Sequence, residues 1–303
     1  MNKTLPLIVF LTAVALTAAC GDSAPDNAAE ASMPPPAEPG TERAPAEPAD
    51  DTASKIDAAL ASDHRSESNR ARDEFRHPKE TLLFFGFEPG MTVVELYPGG
   101  GWYTEVLAPA LGDDGHLIGA QFEPTAPPGY RPGTVARYQE MLKGPAFANT
   151  EMVTLTDAGQ LEGVADGSAD MVLTFRNVHN WINAGLLDQV LAEVARVLKP
   201  GGVFGVTDHR ADEGVDVTES ARRGYVPESH VIERAEAAGL RLEARSELNA
   251  NPKDTKDYAR GVWELPPTLA GDDATREARI AVGESDRMTL KFVKPADEAA
   301  PDA

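Results

Sequence analysis

Three short stretches of this chain hold residue types suited to chemistry. "TFRNVHNW" carries Arg176, Asn177, His179 and Asn180; "VTDHR" carries Asp208, His209 and Arg210; "ELYPGGG" carries Glu95, Tyr97 and the glycines Gly99, Gly100 and Gly101. A histidine exchanges a proton near neutral pH and can act as a base. His179, Asp208 and His209 are therefore candidates for general-base catalysis. The same three are acceptable ligand types for a metal ion, but no characteristic spacing joins them and no metal is expected. Arg176 and Arg210 could attract an anionic substrate, or be satisfied by acidic neighbours. A run of glycines after an apolar strand offers backbone without Cβ, which a ligand can approach closely.

Alternating apolar runs and helical patterns place these groups. "TVVELY", "HLIGAQF", "EMVTLTD", "ADMVLTFR", "VFGVTDH", "LRLEARSEL" and "MTLKFVKP" read as seven strands of an α/β domain. One or two helices precede the first strand in "NRARDEFRHPKETLLFFGF", and "WYTEVLAPAL" is a helix stopped by Gly112. In "LLDQVLAEVARVL" the apolar residues recur at three- and four-residue steps, the mark of an amphipathic helix, and Lys199-Pro200-Gly201-Gly202 reads as its stop and a turn. The last two strands have no long helix between them. A closing hairpin with an irregular connection over 249–286 is expected, long enough to cover a site. Ligands of open α/β sheets bind beyond the carboxyl ends of the strands. That rule gathers Glu95, Tyr97, Arg176, Asn177, His179, Asn180, Asp208, His209 and Arg210 at one edge, with Trp181 and Trp263 expected as packing residues.

The glycine loop fails two tests for a dinucleotide site. The third glycine of that fingerprint falls at Thr104, and the acid expected about twenty residues on falls near Gln121. A nucleotide-dependent oxidoreductase is thus the weakest reading.

Four motifs, in order, resemble the class I S-adenosylmethionine-dependent methyltransferases: Glu95 to Gly101, "LTDAGQL", "DGSADMVLTFRNVHNW" and "LAEVARVLKPGGVFGVTDH". Aromatic-Pro-Gly-Gly-Gly is similar to predicted exported members. The resemblance implies a Rossmann-like seven-stranded sheet, mostly parallel with the last strand antiparallel, and helices on both faces. It implies S-adenosylmethionine as cofactor, held by Glu95, Tyr97, Gly99, Gly101, Gln121, Asp157, Arg176 and Asn177. Asp157 would meet the adenine amino group. Gln121 stands where the family's ribose-gripping acid usually is, and Tyr97 replaces the first glycine. The acceptor would be a small molecule or envelope component. The alternative is a methyltransferase-fold binding module without catalysis, and the direction of the Tyr97 side chain separates the two.

The ends of the chain point to a destination. Residues 1–19 have one basic residue, an apolar run and small residues, the layout of a secretory signal. Cys20, the only cysteine, follows Thr17-Ala18-Ala19 in a pattern that resembles a bacterial lipobox. Lipidation at Cys20 would tether a periplasmic protein to the membrane. Residues 20–55 and 296–303 are rich in Pro, Ala and acids, and are expected to be disordered, leaving 56–295 as the methyltransferase-like domain. The net charge of −21 argues against nucleic acid as a partner.

Overall fold

The computed structural model describes residues 48–123 and 133–296. The signal segment, Cys20, most of the acidic linker and residues 297–303 lie outside the described residues. The described residues fall in one compact unit. Its first helix, α1 (Pro48–Leu60), begins eight residues before the expected domain start and buries Thr52, Ile56 and Ala59. The folded region therefore reaches into the segment read as linker, because a few small and apolar side chains suffice to dock one helix face.

Three short helices follow where one or two were expected: α2 (Glu67–Arg70), α3 (Asp73–Arg76) and α4 (Pro78–Phe85). His77 separates the last two with a left-handed backbone (φ 42°), and Pro78 opens α4, where its missing N–H costs nothing. Next come β1 (Thr92–Leu96), α5 (Thr104–Leu111), β2 (His116–Phe122), α6 (Thr134–Met141), β3 (Thr150–Leu155) and β4 (Ala169–Phe175). The second half runs α7 (Val178–Ala184), α8 (Leu187–Val197), β5 (Leu198–Ala211), α9 (Val217–Arg222), β6 (Val226–Pro227), α10 (Glu228–Ala237), β7 (Arg241–Ser246), α11 (Arg276–Val282) and β8 (Arg287–Val293).

The strand order is β3-β2-β1-β4-β5-β8-β7, with the two-residue β6 paired to the end of β5. Strands β1 to β5 are mutually parallel, and β8 is antiparallel to both neighbours. The expected seven strands are present; β6 is an addition too short to show in the sequence. Lys199 to Gly202 lie within β5 rather than in a turn, for Leu198 pairs with Ala169 before the register shifts. The Pro-Gly-Gly thus starts the strand instead of separating it from the helix. The segment "NVHNW", which follows the strand "ADMVLTFR", caps and opens α7, with Asn177 at its N-cap.

Both faces of the sheet are covered, and the strands show it by alternation. Val93, Leu117, Met171 and Leu173 face one cluster with Phe85, Val106 and Leu107 of α4 and α5. Val94, Ile118 and Val172 face the other, with Trp181 of α7 and Leu187, Val190, Leu191, Val194 and Val197 of α8. Successive strand residues point to opposite faces, so continuous apolar runs are required where both faces are dry. At about 25 cal/mol per Å² of apolar surface, this two-sided core holds the strand ends, and whatever they carry, in fixed positions.

Candidate active site

The carboxyl ends of β1, β4 and β5 open into a cavity of about 360 Å³. Tyr97, Gly99 and Gly100 follow β1; Arg176, Asn177, His179 and Asn180 follow β4; His209 comes from β5. Arg72 and Arg76 enter from the helices before the sheet, Trp102 and Tyr103 from the glycine loop, and Trp263 and Thr268 from the long connection. The 249–286 connection therefore does cover the site, through a 3-10 turn at Gly261–Glu264. Trp263, expected only to pack, lines the cavity.

Asp208 organises the catalytic candidates. It is fully buried, and its Oδ2 accepts the N–H of Val178 at 2.5 Å while Oδ1 accepts the N–H of His209 at 2.7 Å. The same Oδ1 lies 3.3 Å from His179 Nδ1. A carboxylate there fixes Nδ1–H as donor and leaves the lone pair of His179 on Nε2. That nitrogen has no hydrogen-bond partner among the described residues. His179 is thus an oriented imidazole on the wall of a cavity.

His209 is built differently. Arg176 Nε donates to its Nε2 at 3.1 Å, so Nδ1 must carry the proton and donate to Ser285 Oγ. Burial, and then the Arg176 charge, push its pKa well below the usual histidine value. Both ring nitrogens are committed, and the ring is held neutral. In this arrangement His209 accepts from Arg176 and offers no free ring nitrogen to a substrate. One ligand atom each from His179, Asp208 and His209 lies within 4.8 Å of the others. The guanidinium of Arg176 occupies the lone pair of His209 that a cation would need.

Arg176 itself has a left-handed backbone (φ 68°), as does Tyr97 at the end of β1 (φ 49°). Such conformations are strained for side chains other than glycine and persist where packing over-determines them. Burial, and then the neighbouring Arg76, lower the Arg176 pKa to about 9. Arg210, by contrast, is fully paired: it bonds Glu247 and Asp286 and stands 3.6 Å from Glu228. It does not line this cavity.

The residues assigned to the cofactor separate into two groups. Glu95, Tyr97, Gly99, Arg176 and Asn177 line the cavity; Gly101, Gln121 and Asp157 do not. At Gly99 (φ 59°) a Cβ would meet only Tyr97 O, at 4.0 Å, an ordinary contact that leaves the cavity side accessible to a ligand. Gly101 (φ 84°) differs: a Cβ would meet Met141 Sδ at 2.7 Å and Tyr138 at 3.3 Å. There the loop packs on α6. Asn177 Nδ2 ties the loop down by donating to Leu96 O at 3.0 Å. Asp157 is exposed; its backbone N–H reaches Glu123 Oε1 at 3.5 Å.

Tyr97 is turned into the core. Its ring meets Phe122 edge-on at 5.6 Å and Trp181 at 6.0 Å, and it is 9 % exposed. It borders the cavity without filling it, so the feature that would have marked a blocked site is missing. Gln121 donates from Nε2 to Gly99 O at 2.9 Å, while its Oε1 is buried without a partner. Such an orphaned acceptor is costly unless a donor completes it, and a ribose hydroxyl would. Glu95, fully buried, accepts from Thr104 Oγ1 at 2.6 Å, and burial raises its pKa to about 7. An ammonium group would restore its charge. The open Gly99, the orphaned Gln121 oxygen and the desolvated Glu95 fit an amino-acid-bearing nucleoside.

Sequence reasoning did not find Arg72, Arg76, Trp102, Tyr103 or Glu284. The four-residue step from Arg72 to Arg76 was a signal that both could share one face; their common carboxylate, Glu284, lies more than two hundred residues away.

The fold is that of the class I methyltransferases. Residues 98–206 match the family model described as a methyltransferase domain, and this match supports S-adenosylmethionine as the cofactor. A sterol methyltransferase-like protein of Botryococcus braunii is 26 % identical over 136 residues, covering 40 % of this chain and 35 % of that protein. A dimethylglycine N-methyltransferase of Parasynechococcus marenigrum (strain WH8102) is 41 % identical over 68 residues, 22 % of this chain and 23 % of that one. The chain thus spans well under half the length of these relatives. A crystal structure of a SAM-dependent methyltransferase from Aquifex aeolicus superimposes with a TM-score of 0.51 at 17 % identity, over 80 % of this chain and 98 % of that one.

Proposed function

We propose that this protein transfers a methyl group from S-adenosylmethionine to an oxygen or nitrogen of a small-molecule acceptor, with His179 as general base. The observation that carries this reading is the contact between His179 Nδ1 and Asp208 Oδ1 at 3.3 Å, on the wall of the cavity that begins at Gly99. S-adenosylmethionine supplies a methyl group activated on a sulfonium. Glu95 would hold its ammonium, the Gln121 Oε1 a ribose hydroxyl, and the open backbone at Gly99 the nucleoside. Asp157, by the family resemblance, would meet the adenine.

The chain's own residues supply alignment and proton transfer. His179 Nε2 takes the acceptor's proton as the new bond forms, and the buried Asp208 stabilises the resulting imidazolium. Trp263, from the covering connection, stands edge-on to His179 at 6.1 Å and keeps that side of the ring apolar. Excluding water there strengthens each electrostatic contact within.

The place of action is read from the N-terminus. A signal over 1–19 and lipidation of Cys20 would put the domain in the periplasm, on a lipid anchor. No helix among the described residues is long and apolar enough to cross a membrane. Replacing Cys20 with Ser should move the protein from the membrane fraction to the soluble one; unchanged partitioning would remove the anchor.

The function itself is tested by calorimetric titration of S-adenosylmethionine and S-adenosylhomocysteine into the full chain. Micromolar binding that weakens in Glu95→Ala supports the cofactor site. No heat at millimolar ligand would sink the reading and leave the cavity to another ligand.

A further inference from the structure

Arg72, Arg76 and Arg176 line one cavity in a protein whose net charge is −21. Arg287 lies behind them, fully buried. Glu284 serves three of the four: it accepts from Arg72 Nε at 2.7 Å, Arg76 Nε at 3.2 Å and Arg287 Nη1 at 3.0 Å. Those charges hold its carboxyl far below the usual carboxylate range despite its burial. The Arg176 side chain forms no ion pair among the described residues; its guanidinium donates to the neutral ring of His209, and Glu284 acts on it only at longer range.

Two other acids approach the cavity, and neither neutralises the excess. Glu95 is bonded to Thr104 and raised by burial, and Asp208 is spent on two backbone N–H groups and His179. Donors are also left over. Arg72 Nη2 and Arg287 Nε are buried with no partner. Guanidinium N–H groups left without partners out of water are costly, and they match planar or tetrahedral oxyanions through paired N–H bonds. Trp102 packs under the Arg76 guanidinium at 4.5 Å, keeping that arginine on the cavity wall.

We infer that the cavity binds the carboxylate or phosphate of an anionic acceptor on Arg176, with Arg72 and Arg76 adding charge beside it. The identification of the anion's bearer as the acceptor rests on the methyltransferase reading; the oxyanion site does not. Arg176 stands at the ends of β4 and β5 beside His209, whereas the groups fitted to the cofactor's nucleoside, Gly99 and Gln121, belong to β1 and β2. A carboxylate of the cofactor's own amino acid is the other possible source of the same chemistry.

The test is calorimetric titration of inorganic phosphate into the full chain at low ionic strength, with and without saturating S-adenosylhomocysteine. Phosphate should bind in both cases, at least ten times more weakly in Arg176→Met, with Arg176→Lys between. Because a buried substitution can disturb folding, Arg72→Met is a second variant, expected to weaken phosphate binding with the melting transition retained. Equal phosphate binding by both Met variants, or none by the native chain, overturns the site. Displacement of phosphate by S-adenosylhomocysteine but not by 5′-methylthioadenosine, which lacks the amino-acid part, assigns the arginines to the cofactor and overturns the acceptor claim. Phosphate binding that depends on Arg176 in a chain with no affinity for S-adenosylhomocysteine would keep the oxyanion site and sink the methyltransferase reading alone.

Discussion

Arg176 Nε donates to His209 Nε2 across 3.1 Å, and this one bond separates the two histidines of the site into different roles. His209 becomes a neutral acceptor that fixes the guanidinium. His179, held from its other side by Asp208, keeps a lone pair for a substrate proton. His209 should therefore stay neutral, with its proton on Nδ1, at pH values well below the ordinary histidine value of about 6.5. Long-range nitrogen–proton NMR of the imidazoles reads this directly. Arg176→Met should raise its titration toward the ordinary value, and a native His209 titrating near 6.5 would break the assignment.

His179→Asn should lower turnover by about 10²–10⁴-fold, the usual worth of a positioned general base. The affinity for S-adenosylhomocysteine should stay within about twofold, since His179 belongs to the acceptor side. A variant that loses cofactor binding to the same degree as turnover would place His179 in the cofactor site instead.

Glu95 gives the stability of the protein a falling limb. Its folded pKa, about 7, lies above the unfolded value of about 4.3. Its contribution is therefore complete below about pH 4.3 and is lost as pH rises through 7, by up to about 4 kcal/mol. Urea melts of Glu95→Gln should show a flatter limb between pH 5 and 7.5 and higher stability at pH 8. The sign is reversed for binding. An ammonium-bearing ligand needs the carboxylate, so the affinity of S-adenosylhomocysteine for the native chain should rise with pH up to about 7, and the variant should lose this rise.

Glu284 acts in the opposite sense. Its pKa is depressed, so its stabilisation is present above about pH 4.3, the unfolded value, and is lost as the pH falls further. Glu284→Gln leaves Arg72, Arg76 and Arg287 without their shared carboxylate and should cost about 3–5 kcal/mol at pH 7. Denaturant titration measures it; a loss below about 1 kcal/mol would show that water already neutralises the cluster.

The two outer glycines of the loop should fail in different ways. In Gly101→Ala the new Cβ meets Met141 and Tyr138, so overpacking of about 1–3 kcal/mol adds to the left-handed strain. Met141→Ala in the same chain should recover part of it. Gly99→Ala meets no such wall and should cost about 1 kcal/mol from backbone strain, while weakening S-adenosylhomocysteine more than Gly101→Ala does. Thermal melts and titrations on both variants decide.

What the sequence by itself determined was periodic or local. Two-sided strands read as unbroken apolar runs because both sheet faces are covered, and α8 announced itself by its 3- and 4-residue steps. The motif around Glu95 and the rule of strand ends together located the cavity and brought Arg176, Asn177, His179 and His209 to it. Elements shorter than two turns, such as α7 and α9, carry too few repeats to stand out, which is why no helix was expected after "ADMVLTFR", where His179 lies in the first turn of α7.

Only the tertiary structure decided what each polar group does. Gly99 and Gly101 are alike in sequence; one opens to the cavity and the other is filled by Met141. The histidines differ because Arg176 reaches one and Asp208 the other. Tyr97 faces the core because Phe122 and Trp181 receive it there. The arginine cluster depends on Glu284, brought from the far end of the chain by the pairing of β8 with β5. Charge and hydrogen bonding depend on distances of a few ångströms between residues far apart in the chain, and no local pattern records those distances.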